Sequence, residues 1–575
     1  MRDCLVVVLG TGAAGLRAAL ELRRAGLQVV AVSKGAVGAS GATLSASFSY
    51  CCACPGDPSN PPELFREDLL RSGVAVSDPH LVEFMCRDGH LRLEDLAYLG
   101  MPWTRALDGE LARAWLPGHS VARAFHVDHR TGKALATVLV QACLLAGVRF
   151  HQYQVSLDLV LNERFVAGVV MLDLVSGEAT TWRCDAVVIA SGGASGIYRL
   201  HTNPPGQTGD GMALLLRGGG ELTDMEFMQM YPTVLIHPPA AYGVIIPAEH
   251  LLAAGARLLN RYGEEFFDRW EEESIGQATR DVLARAIAKE IAAGRATDAG
   301  GVYLDARHIA REVEQDRHIR FLRDLGVNLA SAPLQVAPGA HYSLGGARVN
   351  PPTSCSAVAG VFAAGEVVGG VHGANRLAGC ALTETQVFGA LAGQETIEYL
   401  RHVRDVSARA KHQGTVPGTD PRPPERGESP VWDAICDACT KSSGLQLDEL
   451  QTTLRDVMQR YASVIRSGSG LERALAHVES LRRAFYGQLA LPVHPESWHP
   501  ELLGAVETAN MLEVARAVLA SALVRTESRG AHYRDDYPER EGGWDGHNLA
   551  VRGDGERLAV LRYDRASGER RQVWP

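Results

Sequence analysis

Residues 4–35 read CLVVVLGTGAAGLRAALELRRAGLQVVAVSKG. The run CLVVVLG, rich in β-branched residues, predicts a buried strand that ends in glycine. GTGAAG follows, with Gly10, Gly12 and Gly15 in the GxGxxG spacing. LRAALELRRAG then carries apolar residues at helical spacing, and LQVVAVSKG predicts a second strand. A strand, tight turn, helix and strand within about thirty residues is the context in which this glycine spacing carries weight. The glycines let the backbone approach a pyrophosphate, which then sits at the positive end of the helix.

The second strand ends in Ser33 and Lys34 and lacks the ribose-binding acid of a plain nicotinamide dehydrogenase. FAD is held along its whole length and tolerates that absence. Two more strand-to-glycine turns support FAD. DAVVIASGG (185–193) leads into HTNPPGQTGDGMALLLRGGG, with Asp210 between glycines, and AGVFAAGEVVGG carries Glu366. Three such turns spread along the chain predict an α/β fold with one Rossmann-like nucleotide domain interrupted by an insertion.

The chain has 575 residues, 46% apolar and 22% charged, the balance of a soluble protein with a large core and two to four domains. A formal charge of −10 argues against a nucleic-acid surface. No apolar run reaches the ~18 residues of a membrane span, and the first residues show no leader, so a cytoplasmic protein is expected. Cys51, Cys52 and Cys54 crowd one stretch, and Cys436 and Cys439 form a CxxC. They read as reduced, buried, inert thiols, and no metal site is expected.

GHSVARAFHVDHRTGKAL (118–135), TGDGMAL (208–214), TRDVLARAI (279–287), HYSLGG (341–346), VHGANRL (371–377) and RTESRGAHYRDDYPE (525–539) occur in that order. In this set the chain resembles the succinate dehydrogenase/fumarate reductase flavoprotein family, which includes L-aspartate oxidase. The resemblance runs from residue 5 to about 540 and implies a layout. The FAD-binding domain takes residues 1–223 and 347–411, and an α+β capping domain takes 224–346. A Pro- and Gly-rich linker follows at 412–430, then a helical domain at 431–535 and an irregular charged tail at 536–575. Within the helical domain, Leu450, Leu454, Val457, Tyr461 and Ile465 recur at helical spacing, as do Leu471, Leu475, Val478 and Phe485.

The resemblance also implies the chemistry. A small carboxylate lies against the flavin, a hydride moves between flavin N5 and one carbon, and a proton moves at the next. Arg376 and His341 would hold the carboxylate, and Arg280 would donate or accept the proton with Glu249 in its relay. His372 is placed near the flavin. FAD would contact Gly10, Gly12, Ala14, Gly15, Ser33, Lys34, Ser40, Ala42, Thr43, Ser191, Gly192, Asp210, Glu366, Arg376, Ala381 and Leu382. An iron–sulfur subunit or another electron-transfer partner is implied as well.

The chain departs from the family at several places. In MEFMQMYPT (225–233), Tyr231 replaces the histidine of His-Pro-Thr. In IPAEHLLAAGARLLN (246–260), Glu249 is kept, but Ala248 and Leu252 stand where threonine and arginine are usual. A substrate without a second carboxylate in the usual place, or a different proton route, is therefore expected. Ala42 replaces the histidine that bonds covalently to FAD in membrane-bound members, which predicts a dissociable cofactor. Ser47-Phe48-Ser49 replaces Gln-Gly-Gly, and Cys380 stands in place of an asparagine. Alternative readings are an amino-acid oxidase like L-aspartate oxidase, or an electron-transfer flavoprotein with an altered pocket.

Overall fold

The computed structural model describes residues 4–46, 48–128, 130–272, 274–276, 278–311, 313, 317–355, 357–409, 422–493, 499–553 and 556–574. Its centre is the strand Leu5–Leu9, which has both faces covered. That burial is why its sequence is an unbroken apolar run rather than an alternating one. It pairs in parallel with Gln28–Ser33 on one side and Ala186–Ile189 on the other. Arg149–Gln152 and Val361–Ala363 extend the parallel core, and two short antiparallel strands complete a seven-stranded sheet. All three glycine turns leave this sheet at the carboxyl ends of neighbouring strands, where ligands of open α/β sheets bind. The helices Ala13–Arg24, Thr131–Ala146 and Cys380–Arg409 pack beside it.

A second body is inserted between the second and third turns. Its four-stranded sheet joins Met228–His237, Leu334–Ser343, Val302–Asp305 and Arg257–Leu259. With the helix Arg280–Glu290 it encloses its own apolar core, which includes Leu252 and Leu283. The short strand Glu221–Thr223 precedes this insertion, and Gly346–Ala347 closes it.

Among the described residues, four helices follow: Pro430–Cys439, Leu447–Tyr461, Gly468–Gln488 and Pro500–Val524. The last is buried on nearly every side, as an all-round apolar helix must be. Ile465 does not continue the preceding helix; it belongs to the two-residue strand Ile465–Arg466. Residues 410–421 of the expected linker lie outside the described residues. The rest is tied down. Thr181 donates its amide to the Arg422 carbonyl (2.7 Å), and Ser429 donates its hydroxyl to Asp158 (2.6 Å).

The expected irregular tail is corrected. His547–Gly553, Leu558–Asp564 and Arg570–Trp574 form strands that extend Glu221–Thr223 into a five-stranded sheet. Leu549, Val551, Leu558 and Val560 supply the buried face, while Arg552 and Arg562 belong to the charge that masks the pattern in the sequence. No described helix is long and apolar enough to cross a membrane.

Candidate active site

One cavity of about 670 Å³ runs from the first glycine turn to the inserted body. Its phosphate end is built by backbone geometry. Gly10 has φ +114°, and a Cβ there would lie 2.2 Å from the Ala190 carbonyl oxygen. Gly12 lines the cavity beside Thr43, whose hydroxyl accepts the Ala13 amide at 3.0 Å. Gly15 does not border the cavity, contrary to its expected contact. A Cβ on it would stand 2.0 Å from the Gly10 carbonyl oxygen, so it works by letting the helix sit against the strand.

Ala14, Ser33, Lys34, Ser40, Ala42, Thr43, Ser191, Gly192, Asp210, Glu366, Arg376, Ala381 and Leu382 all border this cavity. Ser40 gives its hydroxyl to the Ala36 carbonyl (2.9 Å), and Ser191 accepts the Gly211 amide (3.0 Å). Lys34 bridges Asp210 (2.6 Å) and Glu507 (2.8 Å). Burial alone would lower the lysine pKa, but these two carboxylates outweigh it and hold the group raised and charged. Burial would likewise raise Asp210, and Lys34 reverses that. Glu507 belongs to the long buried helix, a contribution from far along the chain that no local motif signals.

The other end of the cavity is cationic. Arg376, 6% exposed, extends Nη2 to within 3.3 Å of His341 Nε2. Arginine can only donate, so Nε2 accepts, and the Nδ1–H then points to the Thr202 hydroxyl at 2.8 Å. Burial, then the Arg376 and Arg280 charges, push the His341 pKa well below the ordinary value, and the ring is neutral. Arg280 is the first residue of its helix, and its guanidinium lies 4.8 Å from the centre of the Tyr231 ring. Tyr231 also meets His341 edge-on at 5.2 Å, so the aromatic ring in place of the usual histidine packs between two site residues. Tyr342 supports the Arg376 guanidinium at 4.6 Å from its ring centre.

Asp281, the next residue, is tied to neighbouring side chains. It accepts from the Thr279 hydroxyl (2.6 Å) and from Asn375 (2.9 Å). Burial and the nearby Arg280 charge lower the Arg376 pKa, and Arg376 Nε is buried with no hydrogen-bond partner. Glu366 accepts the Ser343 amide at 3.0 Å, and its carboxyl is pushed up to about 7, chiefly by burial.

Other expectations are located as follows. The side chain of Glu249 lies outside the described residues. Leu252 is packed in the apolar core of the inserted body and does not border the cavity. His372 does not border the cavity. It bonds Glu384 at 3.0 Å, and Glu384 also accepts from Tyr342, so His372 stands one layer behind the Arg376 support. Sequence reasoning missed Tyr342, Thr202, Gln154, Gln207 and Glu507 on the cavity wall. Tyr342 sat inside the quoted HYSLGG, and Thr202 and Gln207 inside the quoted HTNPPGQTGDGMALLLRGGG, whereas Gln154 and Glu507 lie in no quoted stretch.

The chain matches the model described as FAD binding domain over residues 5–382, and the one described as fumarate reductase flavoprotein C-term over residues 451–570. This chain belongs to the succinate dehydrogenase/fumarate reductase flavoprotein family. It is 35% identical to a component of the CoM/CoB fumarate reductase of Methanothermobacter marburgensis, over 94% of this chain and 96% of that one. It is 32% identical to the L-aspartate oxidase of Streptomyces coelicolor, over 93% and 89%. A solved E. coli quinol fumarate reductase chain matches with a TM-score of 0.84 at 25% identity, covering 99% of this chain and 96% of that one. The first half of the cavity fits FAD. A helix N-terminus faces the space at Gly10 and Gly12, and a side chain on Gly10 would collide with backbone.

Proposed function

We propose that this flavoprotein moves a hydride at a carbon–carbon bond beside a carboxylate, and that Arg376, His341 and Arg280 receive that carboxylate and the proton chemistry next to it. FAD, when bound, supplies the two-electron hydride exchange. One observation carries the reading: a buried arginine with an orphaned N–H donor, beside a second arginine and a neutral histidine, at the far end of a cofactor cavity. An orphaned buried donor costs about 1–3 kcal/mol, which a carboxylate oxygen would recover.

The chain's own part in the reaction is electrostatic. Saturating an alkene conjugated to a carboxylate builds negative charge on the oxygens, so the Arg376 fork stabilises the transition state more than the ground state. Its Tyr342 support and the Nη2 contact to His341 fix its direction. Arg280, held on the Tyr231 face, stands where a proton can be passed to the neighbouring carbon. Among the described residues, Tyr231, Val244, Ile245 and Pro247 also line the cavity, and none of these four carries a charge that could hold a second anion. We therefore assign a 2-enoate with one carboxylate near the flavin and an apolar remainder.

The cofactor is held without a covalent bond, because Ala42 offers no nucleophile. Residues 1–223 and 347–411 act as its domain, and 224–346 as a cap, a division supported by the separate apolar core of the insertion. Electrons arrive through an iron–sulfur subunit or an equivalent partner. Turnover of fumarate or succinate at about 10 per second or more would overturn the one-carboxylate assignment. Hydrogen peroxide made from aspartate under air would favour the amino-acid oxidase reading instead.

A further inference from the structure

The fold gives the CCAC stretch two companions that the sequence does not. The sulfurs of Cys51 and Cys380 and a ring nitrogen of His119 all lie within 4.8 Å of one another, and all three residues are buried. They come from three separate elements. Cys51 ends the strand Tyr50–Cys51, and Cys380 begins the helix Cys380–Arg409. His119 sits in a loop, stacked on Phe65 with ring centres 6.4 Å apart.

His119 has one ring nitrogen held by the backbone and one without a partner. Its Nε2 is 2.8 Å from the Ala378 carbonyl oxygen, which can only accept, so Nε2 carries the proton. Nδ1 then keeps its lone pair, and this buried atom has no hydrogen-bond partner. A histidine whose second nitrogen is fixed by a carbonyl is the usual arrangement behind a bound metal. The sulfurs are weakly engaged. Cys51 reaches the Ala378 carbonyl only at 3.6 Å. Arg123 is buried nearby, paired with Asp68 at 3.1 Å, and its guanidinium nitrogens have no hydrogen bond of good geometry. Its charge favours sulfur in the anionic form.

We propose that Cys51, Cys380 and His119 form a binding site for one thiophilic d¹⁰ cation, Zn(II). Two thiols release two protons as the cation binds, and two thiolates with Zn(II) make a neutral centre that tolerates burial. A tetrahedral ion keeps a fourth position, which a water molecule would fill. Entry is from the cofactor cavity, which Ala378 and Gly379 line. A Cβ on Gly379 would reach within 2.4 Å of the Cys51 sulfur, so one backbone layer separates the two. The CxxC at Cys436 and Cys439 takes no part; both thiols are half-buried in the last turn of their helix.

The test uses the full-length holoprotein, reduced, loaded with Zn(II) and dialysed against a weak chelator. One equivalent of zinc per chain is expected, with thiolate-to-metal charge-transfer absorption when Co(II) replaces it. Cys51→Ala, Cys380→Ser and His119→Phe should each lose at least tenfold in retained metal, while Cys436→Ser keeps it. Thermal midpoint and flavin content show whether each variant is folded. If a variant does not fold, wild-type stoichiometry and the Co(II) spectrum decide alone. A wild-type chain that retains no zinc with every thiol free would overturn the proposal, as would a Cys51–Cys380 disulfide found by mass spectrometry.

Discussion

At the scale of single residues, the cationic end depends on Arg376 keeping both its fork and its support. Arg376→Lys preserves the charge but removes planar bidentate recognition. It should lower kcat/KM by about 10²–10³, the range for losing one donor aimed at developing negative charge. Steady-state kinetics with an enoate would check this, and near-normal kcat/KM would contradict it. Glu366 gives a pH signature. Its folded pKa of about 7 lies above the ordinary 4.5, so between these values the native state holds a proton that the unfolded chain has released. Stability from this group is complete below about pH 4.5 and is lost as pH rises to about 7. In flavin-free protein, Glu366→Gln should therefore gain thermal midpoint on wild type as pH rises through that window. A difference that stays constant with pH would refute the burial of this carboxyl.

At the scale of elements, the first turn is the most constrained. Gly10→Ala requires a side chain at φ +114° and 2.2 Å from the Ala190 carbonyl oxygen. A loss of about 3 kcal/mol or more is expected, together with loss of bound FAD, measurable by denaturation and by flavin absorbance. This element was the most legible in the sequence, because Gly10, Gly12 and Gly15 each serve one step of a strand–turn–helix. The cationic site was legible only through its ordered motifs. Spacing cannot say that Arg280 leans on Tyr231, or that Asp281 is occupied by Asn375. The tail misled for a physical reason: its strands add to an edge already made by Glu221–Thr223, and charged residues on the outer face dilute the alternation. The metal-type cluster was invisible, since Cys380 and His119 meet Cys51 only through the packing of the loop, strand and helix.

At the scale of the whole molecule, the buried helix Pro500–Val524 ties the helical domain to the cofactor end of the cavity. Glu507 pairs with Lys34, and Asn510 donates to Asp210 at 2.9 Å. Lys34→Met would leave Asp210 and Glu507 facing each other without a cation. A buried pair broken on one side costs about 3–5 kcal/mol, so the variant should melt earlier and hold FAD weakly. An unchanged melting midpoint would mean that the Lys34 bridge does not help to hold this helix to the cofactor end. In the proposed reaction, Arg376 and His341 bind the carboxylate and Arg280 serves the proton chemistry. Anaerobic titration of reduced wild type and Arg280→Ala with a monocarboxylic 2-enoate, followed by flavin absorbance, tests it most directly. Both proteins should show the spectral perturbation of ligand binding, and only wild type should be reoxidised. Reoxidation of Arg280→Ala at the wild-type rate would contradict the account.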